Sequence, residues 1–211
     1  MSSAPHTTDA TRLPRGERTR QRILDAAGQC FAARGYARTT VEEVASRAGV
    51  SKALVYHHFG SKERILDTVL ERTIAEWDAV TDLAARSPRG GALESIASMH
   101  RATLAYARDH PALQALIELD SKVLLDAPAG RAARESMQRH RAALVETLRA
   151  GVDSGEVRGD LEIEAAADVI LVHHLGIVQA VFEPEWVEPS EKLVETGIDI
   201  LLRGLTSGRG A

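Results

Sequence analysis

A chain of 211 residues in which 44% of side chains are hydrophobic holds ample material for a core, which excludes disorder of the chain as a whole. Only 4% of residues are aromatic while Ala, Leu, Arg and Glu abound, a composition that favours helices packed through aliphatic side chains over a sheet. The net charge of -4 excludes a uniformly basic nucleic-acid binder, yet residues 1–64 hold 11 Lys+Arg against 6 Asp+Glu and residues 65–211 hold 15 against 24, so a basic head precedes an acidic body.

Residues 1–15 mix Ser, Thr, Pro and isolated charges without periodicity and read as a disordered arm. Arg12, Arg15, Arg18, Arg20 and Arg22 form a basic run that suits either a solvated helix start or contact with phosphates or a minor groove. From Glu17 to Arg34, Ile23, Ala27, Cys30 and Phe31 recur at helical spacing, and Gly35 ends that helix. Cys30, the single cysteine, falls on the apolar side and is expected to be a buried structural thiol. No run of about 18 apolar residues and no apolar signal core is present, so a cytoplasmic protein without a membrane span is expected.

The stretch Thr39–Lys62 carries the densest local signals. Thr40 followed by Glu43 is a capping box that opens a helix through Ala48, with Val41, Val44, Ala45 and Ala48 as its apolar stripe. Gly49 supplies a left-handed stop and Ser51 a cap, so two helices meet across Gly49, Val50 and Ser51. In the second, Val55 and Phe59 face inward, which turns Lys52, Ala53, Tyr56 and His57 outward. Two turns of helix suit a major groove about 12 Å wide, although a helix-turn-helix shape also serves plain core packing.

Gly35-Tyr36, Thr39-Thr40, Val44-Ala45, Ala48-Gly49-Val50-Ser51-Lys52, Val55-Tyr56-His57-His58-Phe59 and Ser61-Lys62-Glu63, in that order, resemble the DNA-binding signature of the TetR family of bacterial transcriptional regulators. The resemblance implies an all-α protein with an N-terminal three-helix head, residues 16–60, and a larger helical body for effector binding and dimerisation, residues 61–207. It implies phosphate contacts by Thr40, Tyr56, His57 and Lys62, with Ser51, Lys52, Ala53 and Leu54 nearest the base edges. The implied partners are double-stranded DNA with a palindromic operator, a small-molecule effector and a second copy of the chain.

Ser61 caps a fourth helix whose series Leu66, Val69, Leu70, Ile74 and Trp77 runs to about Arg86. Beyond the turn at 87–91, helices are predicted at about 92–108, 111–126, 131–153, 162–183 and 190–206, separated by His110-Pro111, Pro128, Gly155–Gly159 and Pro184. The last two are the most apolar and are expected to be substantially buried, either within a monomer core or, as the resemblance implies, in a four-helix dimer interface.

The histidines show no HExxH or other metal-ligand spacing, and no nucleophile elbow, Walker loop or dinucleotide fingerprint occurs; no catalytic residue, metal or cofactor is expected. A helical metal-binding protein or enzyme with a merely structural head is the alternative. Trp77, Met99, His100, Tyr106, Met137, His140 and His173 either fill the core or surround a partly apolar effector cavity.

Overall fold

The computed structural model describes residues 14–86, 90–110, 128–182 and 191–206. Their regular elements are all helices: α1 (Arg15–Arg34), α2 (Val41–Ala48), α3 (Lys52–Phe59), α4 (Lys62–Ala85), α5 (Ala92–Asp109), α6 (Pro128–Ser154), α7 (Ile163–Phe182) and α8 (Glu191–Leu205). The helix predicted at 111–126, the arm up to residue 13 and the tail from 207 lie outside the described residues.

Local chemistry sets most of the boundaries. The first helix starts at Arg15, two residues before the expected Glu17, because Pro14 lies at φ -52° and its carbonyl accepts from Arg18 N–H at 3.0 Å. Thr40 and Glu43 form the reciprocal capping box, and Gly49 closes α2 at φ 63° in the left-handed region. Ser51 and Ser61 cap α3 and α4 by accepting from Leu54 N–H and Arg64 N–H. The helix expected from about residue 131 begins instead at Pro128, whose missing N–H has no intrahelical partner to lose at a first helical position.

One apolar cluster joins α1, α2, α3 and the first half of α4. Ile23, Leu24, Phe31, Val44 and Val55 lie against Ile65, Val69 and Leu70, all nearly excluded from water, and Cys30 is buried with them. Each such side chain contributes about 1.5–3 kcal/mol by burial. The second half of α4 turns its Ile74, Trp77 and Thr81 into the body, where it packs on α5 and α6. A boundary after residue 60 therefore falls just before a helix that completes both cores.

In the body α5 contacts α4, α6, α7 and α8. Ile96, Met99, Leu144, Leu148, Ala167 and Ile170 form one cluster, and Ala97, Leu104, Ile177, Val194 and Ile198 a second. The last two helices are not buried all round, as the run of apolar residues suggested. On α7 Val169, Val172 and Leu175 are 61%, 69% and 43% exposed, and on α8 Ile200 is 67% exposed. Positions 169, 172 and 175 share one helical face, opposite the stripe of Ala167, Ile170, His174 and Ile177 that the chain buries in itself.

Candidate nucleic-acid interface and polar core of the body

The exposed face of α3 is built by anchoring its other side. Val55 is fully buried and Phe59 nearly so, which leaves Lys52, Ala53, Tyr56 and His57 exposed and Leu54 half-buried. Ser51 caps this helix and is itself exposed, as is Thr40 at the start of α2. The Thr40 hydroxyl is engaged with Glu43, donating to Oε2 at 3.0 Å and accepting from N–H at 3.3 Å. Backbone contact with Thr40 drops the Glu43 pKa, which holds the capping carboxylate charged.

The cations on this face have partners within the chain. The Lys52 ammonium is paired with the Glu42 carboxylate and lies 5.7 Å from the Tyr56 ring centroid. Lys62, half-buried at the start of α4, sits 4.3 Å over the Tyr36 ring and donates to Ala37 O at 3.4 Å. Tyr36 in turn donates to Glu63 Oε1 at 3.1 Å, and burial together with Glu63 pushes its pKa up to about 12. Tyr36 thus joins the loop after α1 to the first turn of α4. Sequence reasoning assigned Arg22 to the basic run, but its guanidinium donates to Ala48 O and, at 3.3 Å, to Gly49 O, so it braces the turn between α2 and α3. Thr39 is likewise structural: it is buried, and its hydroxyl lies 3.1 Å from Cys30 O and 2.9 Å from Gly35 O.

The seven residues singled out in the body do not form one ring around a space. Trp77, His100, His140 and His173 belong to a chain of aromatic contacts completed by His174. Trp77 lies 4.8 Å from His140 and 5.5 Å from His174, and His100 lies 5.1 Å from both His173 and His174. Tyr106 has other partners, donating to Glu76 Oε2 at 3.1 Å and stacking on His110 at 3.8 Å. Met99 and His140 line a small cleft, partly open to solvent, together with Thr81, Asp82, Ala85, Ser95, Ile96, Ala143, Leu144 and Thr147. Met137 is half-buried on α6.

Hydroxyl side chains that the sequence reading passed over hold these rings. Trp77 Nε1 donates to Thr103 Oγ1 at 3.2 Å, which is 2.8 Å from His174 Nε2. Thr81 Oγ1 donates to Trp77 O at 2.8 Å and meets His140 Nε2 at 2.9 Å, while Ser136 donates to Asp78, the partner of Arg139. A hydroxyl residue on each apolar stripe, Thr81, Thr103 and Ser136, was the available signal. Burial pushes the His100 pKa down to about 4, with the charge of His173 adding and its bond to Ile96 opposing. His174 is held well below the usual histidine range, and His140 and His173 are lowered, in each case chiefly by burial. Among the described residues no group of three His, Cys, Asp or Glu is placed to hold a metal ion, and no helix is long and apolar enough to cross a membrane.

Residues 23–69 match the family model described as bacterial regulatory proteins, tetR family. That span ends at Val69, inside the part of α4 that completes the head core. The chain is 27% identical to the transcriptional repressor KstR2 of Mycolicibacterium smegmatis over 201 residues, 90% of this chain and 92% of that protein. It is 48% identical to the transcriptional activator FasR of the same species over 63 residues, 30% of this chain and 28% of FasR. A solved structure described as the molecular basis for control of antibiotic production by bacterial hormones superposes with a TM-score of 0.71 at 28% identity, covering 90% of this chain and 98% of the other.

Proposed function

We propose that this chain, a member of the TetR family of bacterial transcriptional regulators, is a cytoplasmic homodimeric repressor that grips a palindromic operator and is released by a small molecule. The observation that carries the reading is the outward face of α3, which a capped helix, the Gly49 turn and the Arg22 brace hold rigid without burying it. A rigid exposed helix of two turns is what a major groove accepts.

Thr40, Tyr56, His57 and Lys62 position the head on phosphates, and Ser51, Lys52, Ala53 and Leu54 lie nearest the base edges. Ala53 and Leu54 make apolar contact with thymine methyls and Lys52 donates to guanine, so part of the discrimination comes from DNA shape. The faces of α7 and α8 bearing Val169, Val172, Leu175 and Ile200 join two copies, since their exposure would otherwise leave apolar surface in water. The two heads then engage half-sites about 34–36 Å apart, or a further whole number of turns.

The effector acts from the body, where α4 is packed on α5 and α6, by binding more tightly to one separation of the heads than to another. Selection of bound duplexes from a random pool tests the reading. Enrichment of an inverted repeat is expected; enrichment of no sequence, or of a single half-site, refutes it.

A further inference from the structure

The fold sorts the basic run at the start of α1. Arg22 braces the turn before α3, while Arg20 lies 4.0 Å from Glu17 and 5.3 Å from the Phe59 ring centroid, at the end of α3. Arg34 is paired with Glu43, Arg38 donates to Arg34 O at 2.7 Å, Arg47 donates to Gln29 Oε1 at 2.8 Å, and Arg64 lies 3.9 Å from Glu71. Lys52 is held by Glu42, and Lys62 by Tyr36 and Ala37 O. Arg15 and Arg18 remain: they are the lysines and arginines of the head whose side chains have no partner among the described residues.

Both are exposed, and both stand in the first turn of α1. The start of a helix carries a partial positive charge, so two cations there oppose the helix dipole, and Glu17 is the one carboxylate in that turn. An anion from outside the chain would offset this repulsion.

Their placement follows from Arg22. Residues 15, 18 and 22 are three and four apart and share one face of α1. Arg22 reaches from that face to the carbonyls of Ala48 and Gly49, so Arg18 and Arg15 stand about 6 and 10 Å along the axis from the level of the turn that feeds α3. A helix about 10 Å across takes up most of a major groove about 12 Å wide. Cations beside α3, and not on its outward face, therefore meet the wall of the groove, which is sugar and phosphate.

We propose that Arg15 and Arg18 clamp the DNA backbone beside the half-site, adding two phosphate contacts per head without reading bases. This rests on the reading of the head as the part that grips DNA. Arg20 and Arg22 share the run but serve the fold.

The test uses the whole chain with Arg15→Gln, Arg18→Gln and the two together. Arg149→Gln, which removes the same charge from a pair with Glu164 in the body, is the control for net charge. Glutamine keeps much of the side-chain stem and a similar helix propensity. Fluorescence anisotropy is read on the selected operator and on an unrelated duplex from 50 to 200 mM salt. Each head substitution should flatten the plot of log affinity against log salt by about 0.9 per engaged head, and the pair by about 1.8. Over that range the double variant should therefore lose about 12-fold less affinity per head than the unaltered chain. The loss at 50 mM should be alike on both duplexes, and selection from a random pool should enrich the same sequence. The melting temperature of the double variant should hold or rise, since the cations that oppose the dipole are gone. Arg149→Gln should leave the slope unchanged.

An unchanged slope in the double variant, or an equal change in Arg149→Gln, overturns the proposal. A new preference at base pairs beside the half-site also overturns it, by making the arginines groove readers, and a lowered melting temperature does so by making them structural. An unaltered chain that enriches no duplex takes the reading of the head down with it. One that enriches an inverted repeat, and whose double variant keeps the full salt slope, refutes this assignment alone.

Discussion

Replacing Glu42 by Gln should strengthen DNA binding, because the carboxylate that occupies Lys52 in the free chain competes with the guanine edge that Lys52 would meet and repels the duplex. Both side chains are exposed, and their contact raises the Lys52 pKa while lowering that of Glu42, so each is charged and committed to the other at neutral pH. Neutralising Glu42 removes one negative charge from the face turned to the duplex and leaves one more cation to displace counterions. A carboxylate about 7 Å from a phosphate in water opposes binding by about threefold. One more cation that displaces a counterion from the duplex steepens the plot of log affinity against log salt by about 0.9, so a gain of this size at 50 mM salt should be gone by about 200 mM. Fluorescence anisotropy on the selected operator over that salt range, with unaltered chain, Glu42→Gln, Lys52→Ala and the double variant, measures both quantities. Thermal stability should hardly move, since an exposed pair contributes little to folding. A gain from Glu42→Gln that persists when Lys52 is Ala, or an unchanged salt slope, refutes the competition.

Three further outcomes follow from the packing. Thr40→Val deletes the bonds of the Thr40 hydroxyl, leaving Glu43 to accept from the backbone N–H of residue 40, and should cost about 1 kcal/mol in urea unfolding, whereas Thr40→Ser should restore most of it. Val172→Asp on the exposed face of α7 should yield monomers by light scattering and weaken operator binding by about 100-fold or more, as paired heads become independent. The His100 pKa stands at about 4 against an ordinary 6.5, so the folded chain binds fewer protons than the unfolded one between those values. His100 therefore lends its full stability above about pH 6.5 and loses it as the pH falls towards 4, by up to roughly 3 kcal/mol. Urea midpoints at pH 7.5, 6 and 5 should fall in that order, and less steeply for His100→Phe.

The head was legible where its signals are local. The capping box spans three positions, the Gly49 turn two helices, and the inward pair Val55 and Phe59 one turn, so each could be read from neighbours in the chain. What escaped were partners distant in sequence. Arg22 looked like one more cation of a basic run because its acceptors are 26 and 27 residues away. Lys52 looked free for DNA because nothing in the sequence pairs it with Glu42, on a different helix. In the body, the partners of Thr103 lie 26 residues away at Trp77 and 71 at His174, so its place on an apolar stripe marks it as buried without naming the rings it holds. Likewise an apolar run on α7 reads the same whether it is covered by its own chain or left exposed, and only the fold separates Ile170 from Val169.

On the proposed reading, α4 is built to carry a signal from body to head. It is one uninterrupted helix of 24 residues, about 36 Å long at 1.5 Å per residue, with Ile65 and Val69 in one core and Trp77 and Thr81 in the other. Lys62 and Trp77 are 15 residues apart, about 22 Å along the axis, so a tilt of about 5° centred on Trp77 moves the first turn by about 2 Å. That turn cannot slide past the head. Ile65, Leu66, Val69 and Leu70 are interlocked with α1 to α3, and Glu63 holds Tyr36, so the head moves with the helix as a body. Trp77 is also where the polar chain of Thr103 and His174 ends. A ligand that repacked Trp77 would act at the pivot of such a tilt. Its effect on DNA affinity equals the difference in its own affinity for the two tilts, and the tightness of binding alone changes nothing.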